Sequence, residues 1–148
     1  MTTELFWLIL TAILAASLWI PYVVGINTTS FDGKDELFVR PPDNTKMAPW
    51  VHRSLRAHQN LLEQFLPFSV IIIVGAILKV STTITAWCAI GFFWLRVAHA
   101  IGMITGAARL PVRPAIYLLG WIAILVLAWQ ILRFAPNQVL ELVPPPNP

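Results

Sequence analysis

Leu5-Phe6-Trp7-Leu8-Ile9-Leu10-Thr11-Ala12-Ile13-Leu14-Ala15-Ala16-Ser17-Leu18-Trp19-Ile20-Pro21-Tyr22-Val23-Val24-Gly25 runs 21 residues without a charged side chain. A helix rises about 1.5 Å per residue, so roughly 20 apolar residues cross the ~30 Å hydrocarbon core of a bilayer. This stretch is long enough to span. A secretory leader is the competing reading, but Glu4 and no Lys or Arg precedes the run, and apolarity persists through Pro21-Tyr22-Val23-Val24. Three further runs follow at about 61–78, 82–107 and 114–132, the last opened by Pro114, a residue suited to a first helical position. The expected fold class is therefore an all-α membrane protein, a single four-transmembrane-helix bundle over residues 1–148.

Composition agrees with that reading. Of 148 residues, 57% are hydrophobic and 11% charged, against about 25% charged in an average soluble domain. An ordinary soluble globular domain is excluded. A net charge of +3 with no basic run leaves nothing to follow a phosphate backbone, so nucleic acid is not an expected partner. Cys88 is the single cysteine; it reads as an inert apolar residue, with no intrachain disulfide and no Cys-based metal site.

Lys79 to Thr83 is all that separates the second and third runs, which forces an antiparallel hairpin. The long connection, about 26–52, is rich in Asp, Asn, Pro and Thr and reads as irregular structure on one membrane face. The tail Pro144-Pro145-Pro146-Asn147-Pro148 cannot be helical and is expected to be disordered. Lys34, Arg40, Lys46, Arg53, Arg56, Arg109 and Arg113 fall on one face, and Lys79 and Arg133 on the other. Positive charge collects in the cytoplasm, so both termini are expected outside. Trp7, Trp19, Tyr22, Trp50, Trp87, Trp129 and Phe134 lie near span ends, as an interfacial belt requires, while Trp94, Tyr117 and Trp121 are deeper and either line a cleft or pack.

Charge within the spans demands a reason, because an ionised side chain at helix centre costs about 2.5–3.5 kcal/mol on the insertion scale. Arg53, Arg56, Asn60 and Glu63, spaced by three, four and three, form one helical stripe at the start of the second span; Arg96, His99 and Met103 form another on the third. Measured from Arg53 and Ala107 as cytoplasmic ends, Glu63 lies about 15 Å deep and Arg96 about 16 Å deep. The two are expected to pair, with Asn60 and His99 one turn nearer the cytoplasm. The bland reading is structural glue between helices, with Arg53 and Arg56 snorkelling to headgroups. No second His or carboxylate is spaced to suggest a metal, so none is expected. Arg109 and Arg113 bracket a helix start, where backbone N–H groups favour a carboxylate or thiolate.

The stretch Arg56-Ala57-His58-Gln59-Asn60-Leu61-Leu62-Glu63 resembles the signature of the MAPEG family, the membrane-associated proteins of eicosanoid and glutathione metabolism. That signature is Arg-Ala, Asn three residues later and Glu three further on, opening the second of four spans. Arg96-Val97-Ala98-His99, and the Arg113 region followed by Leu119-Gly120-Trp121, are similar to the bacterial branch, so the resemblance runs from about Leu5 to Leu132.

The resemblance implies a homotrimer in a bacterial inner membrane, binding glutathione as co-substrate between subunits near the cytoplasmic face. Arg56, Asn60 and Glu63 would hold the peptide's carboxylates and amine, with Arg53, Arg96 and His99 adjoining. Arg113 would be the catalytic residue that stabilises the thiolate. A free thiol titrates near 8.5 and an adjacent guanidinium lowers that value. The partner substrates implied are lipophilic electrophiles or lipid hydroperoxides arriving from the bilayer, hence transferase or peroxidase activity. Two departures weigh against catalysis: Gln64 and Met103 stand where active eukaryotic members carry tyrosines. A non-catalytic lipid-binding or scaffold protein of the same fold is the alternative. A small transporter is disfavoured because the polar stripe reaches one face alone.

Overall fold

The computed structural model describes residues 1–29 and 46–142, with side chains as far as Ala135. The middle of the long loop, including Lys34 and Arg40, and the Pro-rich tail lie outside the described residues. Five helices follow in order: α1 Thr3–Ser17, α2 Ile20–Thr28, α3 Pro49–Ile77, α4 Thr83–Thr105 and α5 Val112–Leu142. No strand occurs among the described residues. By length and hydropathy four spans emerge, Thr3–Thr28, Pro49–Ile77, Thr83–Thr105 and Val112–Ala135. The chain is an integral, multi-pass membrane protein.

The span boundaries differ from the sequence reading in instructive ways. The first apolar run is two helices, because Pro21 has no N–H for the Ser17 carbonyl and the ladder breaks at Leu18-Trp19. The second span starts at Pro49 and not near Leu61, so Arg53, Arg56 and Asn60 sit on the helix proper and the irregular loop is shorter than 26–52. On α5 helix begins at Val112, which makes Pro114 the third helical residue. Pro tolerates that first turn because its missing N–H has no partner to lose there.

The α3–α4 hairpin is set by a capping box. Thr82 Oγ1 accepts from the Thr85 N–H at 3.1 Å, and the Thr82 N–H donates to Thr85 Oγ1 at 2.8 Å. Glu4, only 5% exposed, is held at the same end. Its carboxylate accepts from Ser81 Oγ at 3.0 Å and from Thr85 Oγ1. A buried carboxylate needs such donors, and they tie the first span to the hairpin turn.

Helix α4 is the hub, packing against α1, α3 and α5. Along α3 the buried face reads Val51, Ser54, Ala57, Leu61, Gln64, Phe68, Ile72 and Gly75, a 3.6-residue stripe. It meets Phe92 of α4 through a stacked Phe68–Phe92 pair, centroids 4.0 Å apart. That apolar half of the bundle lies toward the hairpin turn; the polar half lies toward the other end.

Candidate functional site

At the end of the bundle away from the hairpin turn, α3, α4 and α5 enclose a cleft of about 550 Å³. Its walls are Asn60 of α3, His99 of α4, and Leu110, Arg113, Pro114, Tyr117 and Leu118 from α5 and its lead-in. The size falls within the ~300–1,000 Å³ of small-molecule sites. Three of the expected site residues, Asn60, His99 and Arg113, thus meet at one place. Arg113 is a lining residue and Arg109 is not, which distinguishes two arginines that spacing left equivalent.

How α4 ends positions this cleft. Gly106 closes the helix in the left-handed region at φ 79°, which favours Gly. The Arg53 guanidinium then lies against it, Nε donating to the Met103 carbonyl at 3.0 Å and Nη2 to the Ile104 carbonyl at 3.4 Å. A cation on terminal carbonyls complements the helix dipole. Arg53 is therefore turned to the α4 terminus and not into the cleft. Met103 is buried in the core beside Ala57 and Leu61, so its side chain does not reach the cleft either.

Behind the cleft lies a polar layer closed off by Tyr117. Arg96 is 1% exposed, with its guanidinium 5.5 Å from the centroids of both Phe92 and Tyr117. Its Nη2 donates to the Ile116 carbonyl at 3.1 Å, and Gln64 Nε2 donates to the next carbonyl, Tyr117, at 3.2 Å. Among the described residues, Arg96 Nε and Nη1, Gln64 Oε1 and His99 Nε2 are buried without a hydrogen-bond partner. Such groups are rare in a finished core, and His99 is itself a cleft residue.

The expected Glu63–Arg96 pair is corrected by this geometry. Glu63 and Arg96 are level along the bundle, but Gln64 and not Glu63 belongs to the buried stripe of α3. Adjacent helical residues point about 100° apart. Glu63 is exposed on the flank and receives the Tyr117 hydroxyl at 3.5 Å, while Arg96 has no carboxylate partner among the described residues. Pro67, within α3, also has no N–H to give to the Glu63 carbonyl. Arg56 is exposed on the same flank.

Sequence reasoning undervalued two residues. Tyr117 is the hinge of the site, touching Glu63, Arg96 and His99, whose ring centroid is 6.2 Å away. Its four-residue separation from Arg113 put both on one face of α5. Gln64 reads as a departure from a motif, yet its place in the Ala57–Leu61–Phe68 stripe marks it as inward-facing. Trp94 and Trp121, the other deep aromatics, are largely exposed on the bundle surface.

With Arg113 and His99 on its walls, Arg96 behind it and Glu63 at its edge, the site suits an anionic ligand that also carries one cationic group. Among the described residues no group of His, Cys, Asp and Glu is arranged to hold a metal. In comparison with known proteins, the MAPEG family model matches residues 5–133, a stretch that contains all four spans almost entire and every cleft residue. No curated protein matches the chain at a significant level.

Proposed function

Because the chain belongs to the MAPEG family, we propose that it is a glutathione-dependent membrane enzyme, a transferase for lipophilic electrophiles or a peroxidase for lipid hydroperoxides. The observation that carries this reading is the meeting of Asn60, His99, Arg113 and Tyr117 around one cleft. Glutathione bears two carboxylates, one ammonium, an amide backbone and a thiol. Arg56 and Asn60 serve the carboxylates, Glu63 accepts from the ammonium, and His99 Nε2 offers a further polar contact. Arg113 stands at the cleft wall to hold the thiolate, which is the nucleophile. Arg53 contributes by fixing the end of α4, and Arg96 by the positive field behind Tyr117.

A homotrimer belongs to the same proposal. Arg56 and Glu63 lie on an exposed flank of a membrane-spanning helix, where an ionised group costs kcal/mol if it faces lipid. A neighbouring copy would cover them and complete the ligand's second wall. The positive-inside bias supports termini on the non-cytoplasmic side, with the cleft opening toward the cytoplasm of a bacterial inner membrane.

The test is equilibrium binding of reduced glutathione to the detergent-purified protein, with thiolate absorbance recorded alongside. Saturable binding that weakens in Arg56→Ala and Glu63→Ala, with a thiolate signal at neutral pH that disappears in Arg113→Ala, is the expected result. The second reading, a non-catalytic lipid-binding or scaffold protein, draws on Gln64 and Met103, both buried away from the cleft and neither a phenol. Absence of binding at millimolar glutathione would favour it.

A further inference from the structure

A second concave feature lies on the outer seam of α4 and α5 and shares no residue with the cleft. It is a groove of about 390 Å³ lined by Trp87, Cys88, Gly91 and Leu95 of α4 and by Leu119 and Ile122 of α5, among other apolar groups. Among the described residues, no charged side chain lines it. From Ile84, at the hairpin end, to Leu95 the groove extends for about 16 Å, close to the depth of one leaflet of a ~30 Å hydrocarbon core.

Gly91 is the residue that opens this groove. A Cβ there would meet nothing within 4 Å, whereas one on Gly120 of the facing helix would collide with Arg96. Helix packing therefore gives no reason for glycine at 91, although glycine costs about 1 kcal/mol relative to alanine inside a helix. The missing side chain leaves space on the lipid side alone.

Charge stands at the matching end. On α5, Ile122, Val126, Trp129 and Arg133 recur at intervals of four, three and four, so they share one face. Arg133 is exposed near the end of the span, and Lys79 is exposed on the hairpin turn at the same end of the bundle. Trp87, in the groove wall, and Trp129, on the same α5 face as Arg133, are 67% and 64% exposed, and indoles favour the headgroup boundary. An apolar slot about one leaflet deep, with two exposed cations at the same end of the bundle and an indole in its wall, matches the layout of a lipid with an anionic head.

We propose that the α4–α5 seam binds one anionic glycerophospholipid of the adjacent leaflet, an acyl chain lying over Gly91 and the phosphate against Arg133 and Lys79. The site is independent of the glutathione reading. The full chain, reconstituted with equimolar phosphatidylglycerol and phosphatidylcholine and re-extracted, is examined by native mass spectrometry. Wild type should retain one lipid per subunit, with phosphatidylglycerol preferred by about fivefold for each cation. Gly91→Phe, which fills the groove, should lose retention of both lipids; Lys79→Gln with Arg133→Gln should keep a lipid and lose the preference. Leu119→Trp blocks the same groove should Gly91→Phe fail to fold. Equal retention of the two lipids by wild type, or retention unaffected by filling the groove, overturns the proposal. So does a changed subunit count in Gly91→Phe, which would make the groove a seat for a second copy.

Discussion

Gly120 of α5 lies directly against the Arg96 guanidinium of α4: a Cβ added at Gly120 would collide with Arg96 Nη2 and come within 2.8 Å of Gln64 Oε1. This contact lets the polar layer fit between three helices. Gly120→Ala should therefore displace Arg96 and destabilise the bundle by about 1–3 kcal/mol, the usual cost of overpacking. Gly91→Ala, with open space around it, should be neutral or stabilising by up to about 1 kcal/mol. Thermal unfolding in one detergent compares the two, and equal melting temperatures would contradict the contact.

Glu63 and Arg96 are not partners, so they should not be energetically coupled. A double-mutant cycle of Glu63→Gln and Arg96→Met should give a coupling below about 0.5 kcal/mol, as for groups without a shared interaction. Arg96 buries a cation with no carboxylate partner among the described residues, and a buried charge without a partner is costly to keep. Arg96→Met should then leave the melting temperature unchanged or raised.

Arg53 is predicted to act on structure before it acts on ligand. Loss of two charge-assisted hydrogen bonds to the Met103 and Ile104 carbonyls in Arg53→Ala should cost about 1.5–3 kcal/mol. Amide exchange should quicken from Thr105 to Arg109, and glutathione binding should weaken through that loop. Unchanged exchange there, with binding lost, would instead make Arg53 a direct ligand.

Glu4 should separate a hydrogen-bonding role from a charge role. Glu4→Gln keeps an acceptor for Ser81 and Thr85 and is expected within about 1 kcal/mol of wild type. Glu4→Ala removes the acceptor from a buried site and should cost about 1–3 kcal/mol. Matching losses in both variants would mean that the carboxylate's charge, and not its acceptor oxygens, holds the first span.

Tyr117 contributes a wall more than a hydroxyl. Its hydroxyl reaches Glu63 at 3.5 Å, the long limit of a hydrogen bond, whereas its ring separates the cleft from Arg96. Tyr117→Phe should shift the glutathione Kd by less than about fivefold, the worth of about 1 kcal/mol. Tyr117→Ala, which opens the partition, should weaken binding far more.

Four spans, the hairpin between two of them and the membrane setting could be read directly from residue order. Span length and helical period are local properties, settled by about 20 consecutive side chains. The level of the polar groups was legible for the same reason: a fixed rise per residue put Glu63 and Arg96 at one depth. Azimuth was not legible from one helix face taken by itself. Whether Glu63 or Gln64 turns inward depends on how Ala57, Leu61 and Phe68 seat against α4, and a 100° step between neighbours exchanges one residue for the other. Likewise Arg53 shares a stripe with Asn60, yet it is taken by the carbonyls at the end of α4, groups about 50 residues away in sequence. Those assignments arise where helices distant in the chain come into contact, because burial and hydrogen-bond satisfaction belong to the packed bundle and not to any single segment.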